Sequence, residues 1–390
     1  MRTAKFSART FAATVVTVLS ASTVLATLPS EVGATASYDT ANPYGNQVAV
    51  SGRRAVLGVP SYGSSTGIVY QYLLGNSWKL MTRITANGGG PGDSFGAAVA
   101  YTGNGLIVGA PGRNQDNGAV YTIVHVSGLW GQSGSLVDPS EGDQSRFGTS
   151  VAIGGGRVII GAPGLSIPGV VYVARTVSGS LQVTGSMTPA TTDAQDKFGQ
   201  AVAVQNGAVL VGAPGTDNGA GAAYLFKIVH GTWTQVRKFT ETSPQAGDHF
   251  GTSVAFTDSG VAIGAPDRTV SGHPHAGAVD VYETQISVTP TVLHAVTPTT
   301  SASFGRSISA SGVALVIGAP GTDVVAGSAL VATHGNKAWT LSTPVVGNPG
   351  ERLGWSVGVS TQLVPGPRHT HLKRIIPLAA NKQFLGILGR

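Results

Sequence analysis

Nine carboxylates recur at two kinds of position along this chain, and they are the side chains best suited to chemistry. Asp93, Asp143, Asp196, Asp248 and Glu351 stand shortly before a Phe or Leu that is followed by Gly, and Asp116, Asp217, Asp267 and Asp323 follow Gly-Ala-Pro. Carboxylates gathered on one surface bind cations, basic partners or sugar hydroxyls, and two at a suitable separation act as acid and base on a glycosidic bond. The same residues also have a local use, because Asp in Gly-Asp-x-Phe-Gly caps a turn by accepting backbone N–H groups. No pair among the nine singles itself out for hydrolysis. His273 and His275, one residue apart and close to Asp267, are of the type that ligates zinc. A third protein ligand is not identifiable there, and an exposed polar loop explains the pair equally well. Gly63-Ser64-Ser65-Thr66-Gly67 spells G-x-S-x-G but lies between short strands rather than on a strand-to-helix elbow. No phosphate-cradling loop occurs, and without a single Cys neither disulfides nor thiolate metal sites can form.

The elements that must position these residues are set by one spacing. From Tyr44, Phe95, Phe147, Phe198, Phe250 and Phe304, each followed by Gly, it is fourteen positions to Gly58, Gly109, Gly161, Gly212, Gly264 and Gly318. Those glycines open Gly-Val-Pro once and Gly-Ala-Pro five times, and a seventh unit starts at Leu353-Gly354. A repeat of about fifty residues marks an array of supersecondary units. Within one unit, Ala97 to Tyr101 and Leu106 to Val108 are apolar runs about a short turn, which reads as a hairpin. A third strand carries Tyr121 and a fourth carries Trp130, with Tyr and Trp echoed at the matching places of other units. Four antiparallel strands per unit predict an all-β, seven-bladed propeller whose seventh blade is atypical or incomplete. In such a blade the connection after strand two and the connection into the next blade emerge on one face. That face therefore collects both carboxylate series, and Asp116, Asp217, Asp267, His273, His275 and Asp323 are its candidate ligand-binding residues.

The two ends differ from the body. Arg2, Lys5 and Arg9 precede a mostly apolar stretch from Phe11 to Leu28, and Ala34-Thr35-Ala36 offers a cleavage site, so residues 1–36 read as a signal peptide. Residues 37–360 hold the propeller, and 361–390 form a divergent basic tail. The formal charge of +6 belongs to these ends. The body between them carries sixteen basic and seventeen acidic side chains, so no nucleic-acid-binding stripe is expected. Nor does any later stretch reach the apolar length of a membrane span.

Phe-Gly, a first strand and then Gly-Ala-Pro at constant distance resembles the FG-GAP repeat, which builds the seven-bladed propeller of integrin α subunits and related secreted bacterial arrays. The resemblance covers residues 44 to about 360 and implies an extracellular recognition or adhesion module. Calcium-binding blades of that family carry a D-x-D-x-D-G loop between the first strand and Gly-Ala-Pro. Here that loop is two to four residues long, with Asp258 its one carboxylate, so the calcium sites are expected to be missing and no cofactor is expected. The seventh unit departs again: fourteen residues after Leu353 stands Pro367, and the chain from there shares nothing with the other units. Either Ile375 to Ala379 and Gln383 to Leu388 supply atypical strands or the terminus is disrupted, as by a shifted reading frame. The expected function is a secreted, monomeric, non-enzymatic scaffold that recognises an extracellular protein or glycan through the acidic loop face. The alternative is a secreted propeller hydrolase or lyase acting on polysaccharide or glycoconjugate with carboxylates of that face.

Overall fold

Short apolar strands closed by glycine turns bury both faces only when their sheets stack on one another, and here they stack radially. A computed structural model of the chain describes residues 47–75, 78–140, 144–177, 180–258, 260–312, 314–321, 326–335, 338–347, 352–365, 371–380 and 385–387. The signal-peptide segment lies outside the described residues, as do Asp143, Asp323 and Glu351. Six sheets are four-strand antiparallel meanders in chain order, the sixth with a short extra strand, Val345–Val346. The second is representative: Ala98–Tyr101, Gly105–Ala110, Ala119–Val126 and Leu129–Val137. Its register pairs Ala98 with Gly109 and Tyr101 with Leu106, leaving a tight turn.

Burial explains the composition of each strand. Every residue of Gly105–Ala110 is buried, because neighbouring sheets cover both of its faces. In Thr232–Phe239 of the fourth sheet, exposed and half-buried residues alternate, as on an outermost strand covered on one side. Phe95, Phe147, Phe198, Phe250 and Phe304 are fully buried. Phe95 packs with Val56 and Val69 of the first sheet and Leu106 of its own, so it fills the seam between blades. Each of the first three also meets its own third-strand tyrosine edge-on, Phe95 against Tyr121 and Phe147 against Tyr172 at 5.3 Å, Phe198 against Tyr224 at 5.6 Å.

The fourteen-residue interval is a backbone joint. Gly96 donates its N–H to the Gly109 carbonyl at 2.9 Å, and the same bond recurs from Gly148 to Gly161, Gly199 to Gly212, Gly251 to Gly264 and Gly305 to Gly318 at 2.9–3.0 Å. The glycine of Gly-Ala-Pro also touches the next blade. A Cβ on Gly212 would stand 1.9 Å from the Gly251 carbonyl oxygen, and one on Gly109 would stand 2.0 Å from that of Gly148. One residue thus closes its own hairpin and seats the following sheet against it, which is why its type does not vary.

The seven-blade expectation is corrected to six four-stranded blades. The seventh unit forms a three-stranded sheet, Ser356–Pro365, His371–Ala380 and Leu385–Ile387. The cause is the lost glycine: with no Gly to turn at the usual place, the first strand runs ten residues before the chain returns in an equally long partner. That first strand still lies between the sixth blade and the first. Val48 donates its N–H to Ser356 Oγ at 3.0 Å, and Val359 donates to Ser309 Oγ at 3.2 Å.

Candidate functional site

The connections after the second strand and those entering the next blade do share one face, and backbone bonds tie them together. Gly112 N–H bonds Asp93 O at 3.1 Å and Gly215 N–H bonds Asp196 O at 3.0 Å. In three blades the loop after the second strand makes a single left-handed helical turn. Gly63, Ser64 and Ser65 form one, Asn114, Gln115 and Asp116 the next, and Asp217, Asn218 and Gly219 the third, all with φ between 53° and 81°. Left-handed backbone costs non-glycine residues about 1–2 kcal/mol each, which favours Asn, Asp and Gly here. The turns clamp neighbours: the carbonyls of Ser65, Asp116 and Gly219 accept from the N–H groups of Ser94, Arg146 and His249 at 2.7–2.8 Å.

The carboxylates before Phe-Gly act within their own loops. Asp93 accepts from Gly90 N–H at 2.8 Å, Asp196 from Asp193 N–H at 3.1 Å and Asp248 from Gln245 N–H at 3.1 Å. Asp93 also pairs with Arg113 at 2.7 Å. The carboxylates after Gly-Ala-Pro are dispersed. Asp116 stands 3.7 Å from Arg146, and Asp217, largely exposed, stands 3.4 Å from Lys238. Asp323 lies outside the described residues. His273 turns its loop through backbone bonds with Val270 at 2.9 and 3.2 Å.

Asp267 alone gathers partners of interest. One of its oxygens meets His249 Nδ1 at 2.7 Å and the other meets His275 Nδ1 at 3.2 Å. The bond to Asp267 holds the His249 pKa above the ordinary histidine value. Burial alone would raise the Asp267 carboxyl, but the two imidazoles outweigh it and lower its pKa. Among the described residues no group of three or more His, Cys, Asp or Glu is placed to hold a metal ion.

At the centre of this face the channel opens into a cavity of about 720 Å³. Its mouth is cationic. Arg146, Lys197 and His249, each the residue immediately before Phe-Gly, line it together with Arg306, the residue immediately after Phe304-Gly305. Trp355, which the sequence places on a first strand near the channel, is on the same rim at the equivalent position of the seventh unit. Arg306 stacks on the Trp355 ring at 4.9 Å, with Arg352 over the same ring at 5.4 Å. The surrounding walls lower the Arg306 pKa, and the Arg352 charge adds to this; a guanidinium nonetheless stays charged at neutral pH. Asp267 is the one carboxylate among the described residues of the lining.

These cations were not marked by sequence reasoning. The signal lay in the variable positions flanking Phe-Gly, which read Ser, Arg, Lys, His, Ser, Arg before it and Ala, Thr, Gln, Thr, Arg, Trp after it, from the second unit to the seventh. The FG-GAP repeat family matches residues 78–123, 182–226 and 233–282. The first match runs from Trp78 on the last strand of one blade through Phe95-Gly96 and Gly109 to the third strand of the next, so the family's repeat is offset by one strand from the structural blade. These three matches, on a propeller of six four-stranded blades, support an FG-GAP repeat β-propeller. No curated protein matches it. Among the described residues no helix is long and apolar enough to cross a membrane.

Proposed function

We propose that this propeller is an exported, non-enzymatic binding or adhesion scaffold that recognises an extracellular protein or glycan through its loop face. One observation carries the reading: connections from successive blades converge around an open cavity of about 720 Å³, whereas at the other end the first hairpins of the fourth and fifth blades turn back within a few residues, Gln205 pairing with Ala208 and Phe256 with Val261. Loops held by a rigid array are where recognition concentrates, and a concave centre of this size suits a ligand group. Asp116, Asp217, His273 and His275 belong to the surround of that site, Asp267 to its lining, and Asp323 is included from its place after Gly-Ala-Pro in the sequence; the basic residues before the apolar N-terminal segment supply the export reading. The test is an array of extracellular proteins and glycans probed with the chain, followed by hydrogen-exchange footprinting of whatever binds. Protection is expected in loops 111–118, 214–221 and 266–277. Protection confined to the hairpin turns at the opposite end, or appearance of a cleaved product, would overturn it.

A further inference from the structure

The charges of this face fall into two populations. Away from the channel, Arg113 sits 2.7 Å from Asp93, and Arg268 contacts Glu241 at 2.6 Å and Asp280 at 2.7 Å. At the cavity the cations are held less tightly, although the Asp267 carboxylate is near enough to act on Arg306. Arg306 makes no ion pair or side-chain hydrogen bond among the described residues, and its one side-chain contact of note is the Trp355 ring. Among the described residues Lys197 Nζ reaches the backbone oxygens of Gly164 and Leu165, at 3.3 and 3.2 Å. Arg146 is held loosely, with its Nε buried, 3.7 Å from Asp116 and without a hydrogen bond. Three residues with guanidinium or ammonium groups line one concave space, and Asp267, the one carboxylate among its described lining residues, is shared by two imidazoles, which makes a field that attracts an anion.

Neutral groups alternate with these cations. Thr149, Gln200 and Thr252 occupy the same position in three consecutive blades, two residues after each Phe, and all line the cavity. The Thr149 and Thr252 hydroxyls donate to Arg146 O at 2.8 Å and His249 O at 2.7 Å, so each offers acceptor lone pairs to a ligand, while Gln200 brings a donor and an acceptor. We propose that this cavity is a receptor for an acidic oligosaccharide, whose carboxylates or sulfates engage Arg306, Lys197 and Arg146 and whose hydroxyls are bonded by Thr149, Gln200 and Thr252. An acidic peptide would engage the cations but would leave two hydroxyl acceptors and one amide without the several sugar hydroxyls that match them. The inference rests on the scaffold reading and names the ligand class of the same site.

The experiment is calorimetric titration of the full chain with four probes: an oligo-uronate, a sulfated oligosaccharide of similar length, a neutral oligosaccharide and an oligo-glutamate. The uronate, the sulfated probe or both should bind, and the neutral and glutamate probes should bind at least tenfold more weakly; the first two arms tell a carboxylate-bearing sugar from a sulfate-bearing one. Arg306→Gln and Lys197→Gln should each weaken binding about tenfold and Thr252→Val several-fold, with unchanged melting temperatures showing that the fold persists. Equal binding of oligo-glutamate would overturn the sugar assignment, and equal binding of the neutral probe would overturn the anion assignment. Binding of neither acidic sugar, or binding unmoved by both charge substitutions, would overturn the inference as a whole. The scaffold reading fails separately, by its footprint: a ligand protecting the loop face yet indifferent to Arg306→Gln leaves that reading standing and removes this one.

Discussion

At one end of the channel Arg146, Lys197, His249 and Arg306 crowd the mouth; at the other, a cavity of about 530 Å³ is lined by Gln205, Asp258, Ser309 and Ser311 and by no cation among its described residues. The same first strands build both ends, and Val202, Val254 and Ile308 line both cavities. The difference comes from what joins the strands. At the second end the chain turns back at once, Gln205 pairing with Ala208 in the fourth blade. At the first, two kinds of longer connection meet and cross between blades. A repeat array therefore keeps one end for closing hairpins and leaves the other free to vary in chemistry.

The comparison breaks if the shared frame is not shared. Phe198 is fully buried between the third and fourth blades. Phe198→Ala is expected to cost about 3–5 kcal/mol in denaturant unfolding and to loosen both channel ends together. A loss under 1 kcal/mol would mean that the blades do not depend on this seam.

Two glycines of the fourth blade then separate the ends. Gly212→Ala places a Cβ 1.9 Å from the Gly251 carbonyl oxygen, backbone that cannot yield without moving the fifth blade. An unfolding cost of about 3 kcal/mol is expected. Gly207, in the hairpin turn at the opposite end, has φ +76° and open space around it. Its replacement by Ala should cost about 1 kcal/mol, through backbone strain alone. Equal costs would show that the joint carries no more than the turn.

A third prediction contrasts paired and unpaired charge on the loop face itself. Glu241 and Asp280 hold Arg268, and Asp248 lies against Glu241; burial, aided by Asp248, outweighs the guanidinium to push the Glu241 pKa up to about 7. The sign follows from the reference: an unfolded glutamate ionises near 4.5, well before the folded one. Stability tied to this group is therefore full below about pH 4.5 and is lost as the pH rises through about 7, by roughly 2–3 kcal/mol. In unfolding measured at intervals across that range, Glu241→Gln should lose this part of the pH dependence. An unchanged profile would move the titration to another residue.

How much of this the sequence disclosed depends on whether a feature recurs. The joint was legible because Gly96 and Gly109, and their counterparts, perform one backbone task that no other residue can perform. The shared face of the loops was legible too, since strand order alone dictates it. The six-blade count was not, because strand formation beyond Pro365 follows from where the chain finds a partner and not from the motif. The basic residues of the cavity were not legible for the opposite reason to the joint. Arg146, Lys197, His249 and Arg306 differ in type, and Arg306 sits on the other side of Phe-Gly from the rest, so no period announces them. The acidic residues caught attention by recurring, and recurrence among Asp93, Asp196 and Asp248 reflects the turn that each one caps.

Asp217 gives the finest test of that distinction. It was singled out by recurrence, yet its carboxylate is largely exposed, 3.4 Å from Lys238, on a left-handed turn where Asp and Asn serve equally. An exposed pair of this kind contributes between nothing and about 1 kcal/mol, and side-chain mobility and salt both reduce it. Asp217→Asn keeps the turn and removes the charge. It should change unfolding stability by under about 0.5 kcal/mol and leave acidic-sugar affinity within twofold, while Lys197→Gln at the rim lowers that affinity about tenfold. If Asp217→Asn instead costs as much as the rim substitution, the recurrent carboxylates belong to the recognition site after all, and the division of this face into paired surround and unpaired centre is wrong.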